Sequence, residues 1–78
     1  MGKKETSDNN INCNRFRLTL KQKEVLAYLA KGLLNKQIAE AMNLSVSTVK
    51  LHVSGILFRL EVKTRTAAVV KAQKLELI

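Results

Sequence analysis

The chain has 78 residues, enough for one domain with a small core and too few for a multidomain machine. Hydrophobic residues make up 46% of it, which excludes a disordered chain by composition, and the lack of proline with few β-branched runs favours an all-α fold. The formal net charge of +8 points to a polyanionic partner, nucleic acid before an anionic membrane, against the plainer reading of a solubilising surface.

Residues 1–17 are polar, with SDNNINCN at their centre and no helical or strand period, and read as a tail or linker. Met1-Gly2-Lys3-Lys4-Glu5-Thr6 fits the N-myristoylation pattern, which is too short and unspecific to carry weight. Cys13 is the only cysteine, so it forms no internal disulfide, and a reducing compartment fits. The folded domain is expected over residues 18–78. No signal-peptide pattern opens the chain, and no apolar stretch is long enough to span a bilayer.

Four helices follow in the pattern. The first opens at Thr19, which forms a capping box with Gln22 three residues later. Val25, Leu26, Leu29 and Ala30 make one apolar stripe, and Gly32 supplies the left-handed stop. The second is predicted from Asn35 to Met42, with Ile38, Ala39 and Met42 inward and Asn43 accepting the positive φ of a tight turn. The third begins at Ser45 as N-cap, with Leu44 and Val49 placed as a hydrophobic staple. Its inward stripe is Val49, Val53, Ile56 and Leu60, and its outward face carries Ser47, Lys50, Leu51, Ser54 and Phe58. The fourth starts after Thr64 and reaches about Leu75. Its residues Ala67, Ala68, Val69, Val70 and Ala72 are apolar over more than one face, leaving apolar surface for a partner.

The second and third helices, joined by a turn of about three residues, form a helix-turn-helix unit. Ala39 is small where the two helices approach, Asn43 sits in the turn, and Val49 is buried ten residues after Ala39. With Val49 and Val53 inward, Lys50, Leu51 and Ser54 face out near the helix start, the positions that enter the major groove in such units. Lys50 suits guanine O6 and N7, or a phosphate; Leu51 suits a thymine methyl; Ser54 suits a base edge or a phosphate. Phosphate contacts fall to Asn35 and Lys36 at the start of the second helix, and to Ser47, Thr48, Arg59, Lys63 and Arg65 at the ends of the third and in the loop after it.

His52 lies at the edge of the buried stripe and reads as a partly buried, hydrogen-bonded packing residue. The chain has no second histidine, and its one cysteine, Cys13, lies in the polar N-terminal stretch without neighbours that would make a metal site, so no metal is expected. The sequence lacks a nucleophile–base pair, paired inward carboxylates and a phosphate-cradling glycine loop, so an enzyme is not expected, and neither is a cofactor.

The stretch LTLKQKEVLAYLAKGLLNKQIAEAMNLSVSTVKLHVSGILFRLEVKTRTAAVV resembles the LuxR-type (GerE- or FixJ-type) DNA-binding domain of bacterial transcription regulators, from about Leu18 to the C-terminus. Glu24-Val25-Leu26, Gly32, Asn35-Lys36, Ile38-Ala39, Ser45, Thr48-Val49-Lys50, His52, Ile56, Leu60, Val62 and Arg65 carry the likeness. The resemblance implies a four-helix domain, base contacts from Lys50, Leu51 and Ser54, and phosphate contacts around Asn35, Lys36, Thr48, Arg59 and Arg65. It also implies a homodimer through the fourth helix, with Thr66, Val70 and Gln73 at the interface, and a place after a receiver or ligand-binding domain or as a short stand-alone regulator. Five departures stand out. Lys21-Gln22 replaces the usual Arg-Glu, and Leu34 replaces a serine cap, for which Asn35 is the expected substitute. Glu61 replaces a glycine, so the chain after the third helix is expected to turn differently; Gly55 costs helix stability of about 1 kcal/mol relative to alanine, and Phe58 points outward where a polar or basic residue is common.

The reading is an all-α, four-helix LuxR-type helix-turn-helix domain of a cytoplasmic transcription regulator. It binds double-stranded DNA with its third helix in the major groove, dimerises through its fourth, and has RNA polymerase as a further candidate partner. The rival is a helix-turn-helix module for protein–protein interaction, since the fold also resembles the promoter-reading region of sigma factors. A basic amphipathic membrane binder ranks below both, because the core consumes the apolar faces.

Overall fold

The computed structural model describes residues 17–78. The candidate tail, Cys13 and the Met1-Gly2 motif lie outside the described residues, apart from Arg17. Among the described residues there are four helices and no strand: α1 Leu20–Ala30, α2 Asn35–Met42, α3 Val46–Leu60 and α4 Arg65–Lys74.

Local chemistry sets each boundary. Thr19 caps α1 in the expected box: Gln22 N–H donates to Thr19 Oγ1 and Thr19 N–H donates to Gln22 Oε1, both at 3.0 Å. Gly32 follows α1 with φ 86°, the left-handed conformation that lets Leu33 N–H reach back to the Tyr28 carbonyl at 3.2 Å. Asn43 closes α2 the same way, with φ 57°, and Leu44 N–H donates to the Ala39 carbonyl at 2.9 Å. Ser45 caps α3 by accepting Thr48 N–H at 3.0 Å, and Thr64 caps α4 by accepting Ala67 N–H at 3.0 Å.

Two expectations are revised. Asn35 does not cap α2; Leu34 holds the N-cap position with an extended backbone, and the Gln37 side chain accepts Leu34 N–H at 2.8 Å. This is the reciprocal half of a capping box, formed without the serine that normally supplies the other half. Glu61 does not change the turn after α3. It takes the left-handed conformation usual for glycine (φ 60°, ψ 43°), and Val62 N–H donates to the Leu57 carbonyl at 3.0 Å.

The core forms around α3, against which α1, α2 and α4 all pack. Val49, Val53, Ile56 and Leu60 are buried along it as the spacing requires, and they meet Val25, Leu26 and Leu29 of α1, Ile38 and Ala39 of α2, and Ala68 and Ala72 of α4. Leu18 closes the core from ahead of α1, and Leu44, between α2 and α3, packs against its edge. Burying each Val, Leu or Ile contributes about 1.5–3 kcal/mol, so α3 is held in place by its whole inner stripe. Two side chains add ties to backbone carbonyls: Arg65 Nη2 donates to the Leu33 carbonyl in the loop between α1 and α2, and Lys71 Nζ to the Leu60 carbonyl that the end of α3 leaves free, each at 2.7 Å. Among the described residues no polar or charged side chain is fully buried, so the basic charge lies at the surface.

Candidate nucleic-acid interface

The orientation of α3 follows from its inner stripe. Each residue of an α-helix advances by about 100°, so burying Val49 and Val53 turns Lys50, Leu51 and Ser54 away from the core. All three are exposed, Leu51 at 73%. Phe58 lies on the same outer face at 81% exposure, two turns beyond Leu51. At the head of the helix the exposed Val46 is followed by two polar side chains. Ser47 is exposed, and Thr48 is half-buried, its hydroxyl accepting the Ser45 hydroxyl at 2.9 Å.

The residues expected to meet phosphates fall into two groups. Lys36, Ser47, Arg59 and Lys63 are exposed side chains. Asn35, Thr48 and Arg65 are half-buried and already engaged with the fold or its interior. Asn35 Oδ1 is sealed from solvent with no hydrogen-bond partner among the described residues, whereas the Arg65 guanidinium links the start of α4 to the loop between α1 and α2. Arg65 thus has a structural duty that its place after α3 did not reveal, and its other N–H groups are left for any outside acceptor.

The surface of α4 also divides. Ala68 and Ala72 face the core, while Thr66 and Gln73 are exposed and Val70 keeps 44% of its surface in solvent. Thr66 and Val70, together with Leu34 and Val69, line an open groove of about 330 Å³ between α4 and the end of α1. His52 is half-buried, as expected, but its ring makes no hydrogen bond among the described residues. Among those residues no three His, Cys, Asp or Glu side chains gather as a metal site, and no helix is long and apolar enough to cross a membrane.

In the sequence Gln22 stands out as a cap and as a departure from the family's usual Arg-Glu, and Gly55 as a weak point of α3. The structure puts them together: a Cβ built on Gly55 would lie 2.6 Å from Gln22 Nε2. The signal in the sequence was that both depart from the family pattern, on helices 33 residues apart, which no local rule connects.

Comparison with known proteins agrees with this geometry. Residues 17–72 match the model of the bacterial regulatory proteins of the luxR family. The response regulator protein VraR from Staphylococcus aureus, and from Staphylococcus epidermidis, is 48% identical over 61 residues, a span that covers 78% of this chain and 29% of the relative. Among solved structures, the crystal structure of the response regulator ChrA in a heme-sensing two-component system superposes with a TM-score of 0.77 at 35% identity, over 88% of this chain and 37% of that one. The chain therefore spans about a third of the length of these proteins. With the matched model covering most of its residues, the chain belongs to the luxR family of bacterial regulatory proteins.

Proposed function

We propose that this chain is the DNA-binding domain of a bacterial transcription regulator, acting as the output domain of a response regulator or as a stand-alone protein. It reads double-stranded DNA by laying α3 in the major groove. The observation that carries this reading is the exposure of Lys50, Leu51 and Ser54 on the one face of α3 that no other element covers. Lys50 donates to guanine O6 and N7, Leu51 meets a thymine methyl, and Ser54 bonds a base edge.

Lys36, Arg59, Lys63 and Arg65 neutralise phosphates, with Asn35, Ser47 and Thr48 as uncharged contacts that set the register. The free N–H groups at the start of α2, the helix that opens with Asn35 and Lys36, favour an anion. Two copies associate through Thr66, Val70 and Gln73 of α4, presenting two α3 helices to two half-sites of opposite orientation. RNA polymerase is a further partner, reached from the bound domain in the cytoplasm.

The test is selection of duplexes from a random pool, followed by affinity measurements on the selected and a scrambled duplex. Lys50→Ala is expected to lower the preference for the selected duplex by about 1–3 kcal/mol, that is about 5- to 150-fold. An equal loss on both duplexes would make Lys50 a phosphate contact, and no selected sequence at all would reject base reading by α3.

A further inference from the structure

Gln22 has a second role that capping does not explain. Its Oε1 accepts Thr19 N–H at 3.0 Å, and only the oxygen of the amide is able to accept, so the orientation of the carboxamide is fixed. The NH2 group is thereby turned toward α3, where it lies over Gly55 at a distance (2.6 Å from the site of a Cβ) that any larger residue would close. Gln22 is only half-buried, and its NH2 hydrogens find no acceptor among the described residues. Gly55 follows Ser54 directly and lies four residues after Leu51 and four before Arg59, so it forms the shoulder of the outward face of α3. Arg59 is exposed on that shoulder with no acidic partner among the described residues.

We propose that the Gln22 carboxamide is a DNA-backbone contact contributed by α1: its NH2 group, held over Gly55, donates a hydrogen bond to a phosphate on the same side of α3 as Arg59. The contact rests on the reading of α3 as the DNA-facing helix. Glycine at 55 is what gives the amide its place. A neutral amide at 22 supplies the donor and also leaves the Arg59 guanidinium unpaired for the same strand. A carboxylate at 22 would keep the acceptor for Thr19 N–H but carry no donor, and would attract Arg59 away from the phosphate.

The experiment measures duplex affinity by fluorescence anisotropy and melting by circular dichroism for the whole chain and its Gln22→Glu, Gln22→Ala, Gly55→Ala and Gln22→Ala/Gly55→Ala variants. Gln22→Glu is expected to melt at or above the parent temperature and to bind selected and scrambled duplexes alike about tenfold more weakly, the loss of one charge-assisted hydrogen bond. Gly55→Ala is expected to weaken binding as Gln22→Ala does, because the methyl displaces the amide, with no further loss in the double variant. In the Gln22→Ala background the same Gly55→Ala change should raise the melting temperature by about 4–8 °C, the usual helix gain of alanine over glycine. The slope of affinity against salt should not change in Gln22→Ala, since an uncharged donor releases no counterion, whereas Arg59→Ala should reduce it by about 0.9. If the parent binds DNA and Gln22→Glu binds equally well, the contact does not exist and the wider reading stands. If the parent binds no duplex at low salt, the wider reading fails and the contact falls with it.

Discussion

Replacing Ser45 by alanine and by aspartate separates the stability of α3 from its use. The Ser45 hydroxyl accepts Thr48 N–H at 3.0 Å and donates to Thr48 Oγ1 at 2.9 Å, and the residue is exposed. Water therefore takes over part of what alanine removes. The cost is that of a lost N-cap, about 1 kcal/mol, below the roughly 3 kcal/mol of a buried donor left without a partner. In a domain of this size that lowers the melting temperature by about 4–8 °C. Aspartate keeps the acceptor and puts a negative charge at the positive end of a helix that has no acidic residue in its first turn. That interaction contributes about 0.3–1 kcal/mol, so Ser45→Asp should melt at or above the parent temperature.

Binding should order the two variants the other way. A carboxylate beside Ser47 and Thr48 repels the phosphates those residues are proposed to meet, weakening binding about tenfold, equivalent to about 1.4 kcal/mol. Ser45→Ala, measured where it is fully folded, should stay within about threefold of the parent, because it adds no charge. Circular dichroism melts and anisotropy titrations on one duplex give both quantities. Aspartate binding as tightly as serine would refute the placement of the α3 N-terminus against the DNA backbone.

Glu61→Gly should raise the melting temperature by a few degrees in scanning calorimetry. The left-handed φ of 60° strains a side-chain-bearing residue by about 1 kcal/mol, while the extra freedom glycine gives the unfolded chain cancels part of the gain. Arg65→Lys should cost about 1 kcal/mol in a denaturant melt, because an ammonium does not reproduce the placement of the guanidinium Nη2 donor on the Leu33 carbonyl, yet leave the salt slope of DNA binding unchanged since the charge remains. Val70→Asp should abolish two-copy binding in a gel-shift titration on a two-half-site duplex while leaving single half-site affinity and the melting temperature close to the parent. Val70 is partly exposed, and such surface changes typically shift stability by only about 0.5 kcal/mol.

Much of this molecule was legible in its sequence because short-range rules governed it. The Thr19–Gln22 box, the Ser45 and Thr64 caps, the left-handed Asn43 and the stripe from Val49 to Leu60 each depend on residues within a few turns of one another. The outward face of α3 followed from that stripe by rotation alone. The misses have the opposite character. Asn35 was the expected cap of α2 because its side chain suits the task, but the backbone starts one residue earlier and Gln37 supplies the bond from inside the helix. Glu61 kept the glycine turn because Val62 and Leu57 close it through the backbone, which outweighs the preference of a single residue. The Arg65–Leu33 tie and the Gln22–Gly55 approach join positions about thirty residues apart, and no periodicity or capping rule reports such a pairing. The contacts with bases and phosphates are a further step, since exposure shows which side chains are available and a duplex decides which are used.

The most direct measurement is the affinity of this chain for a duplex at about 50 and about 200 mM salt. Four cations, Lys36, Arg59, Lys63 and Arg65, are assigned to phosphates, which gives a slope of about −3.6 per chain and a loss of roughly 150-fold across that fourfold range. A loss of that order, steeper if two copies bind together, is the expected result. Affinity that barely changes with salt, or no binding at the lower concentration, would contradict a protein that docks its basic face on the DNA backbone.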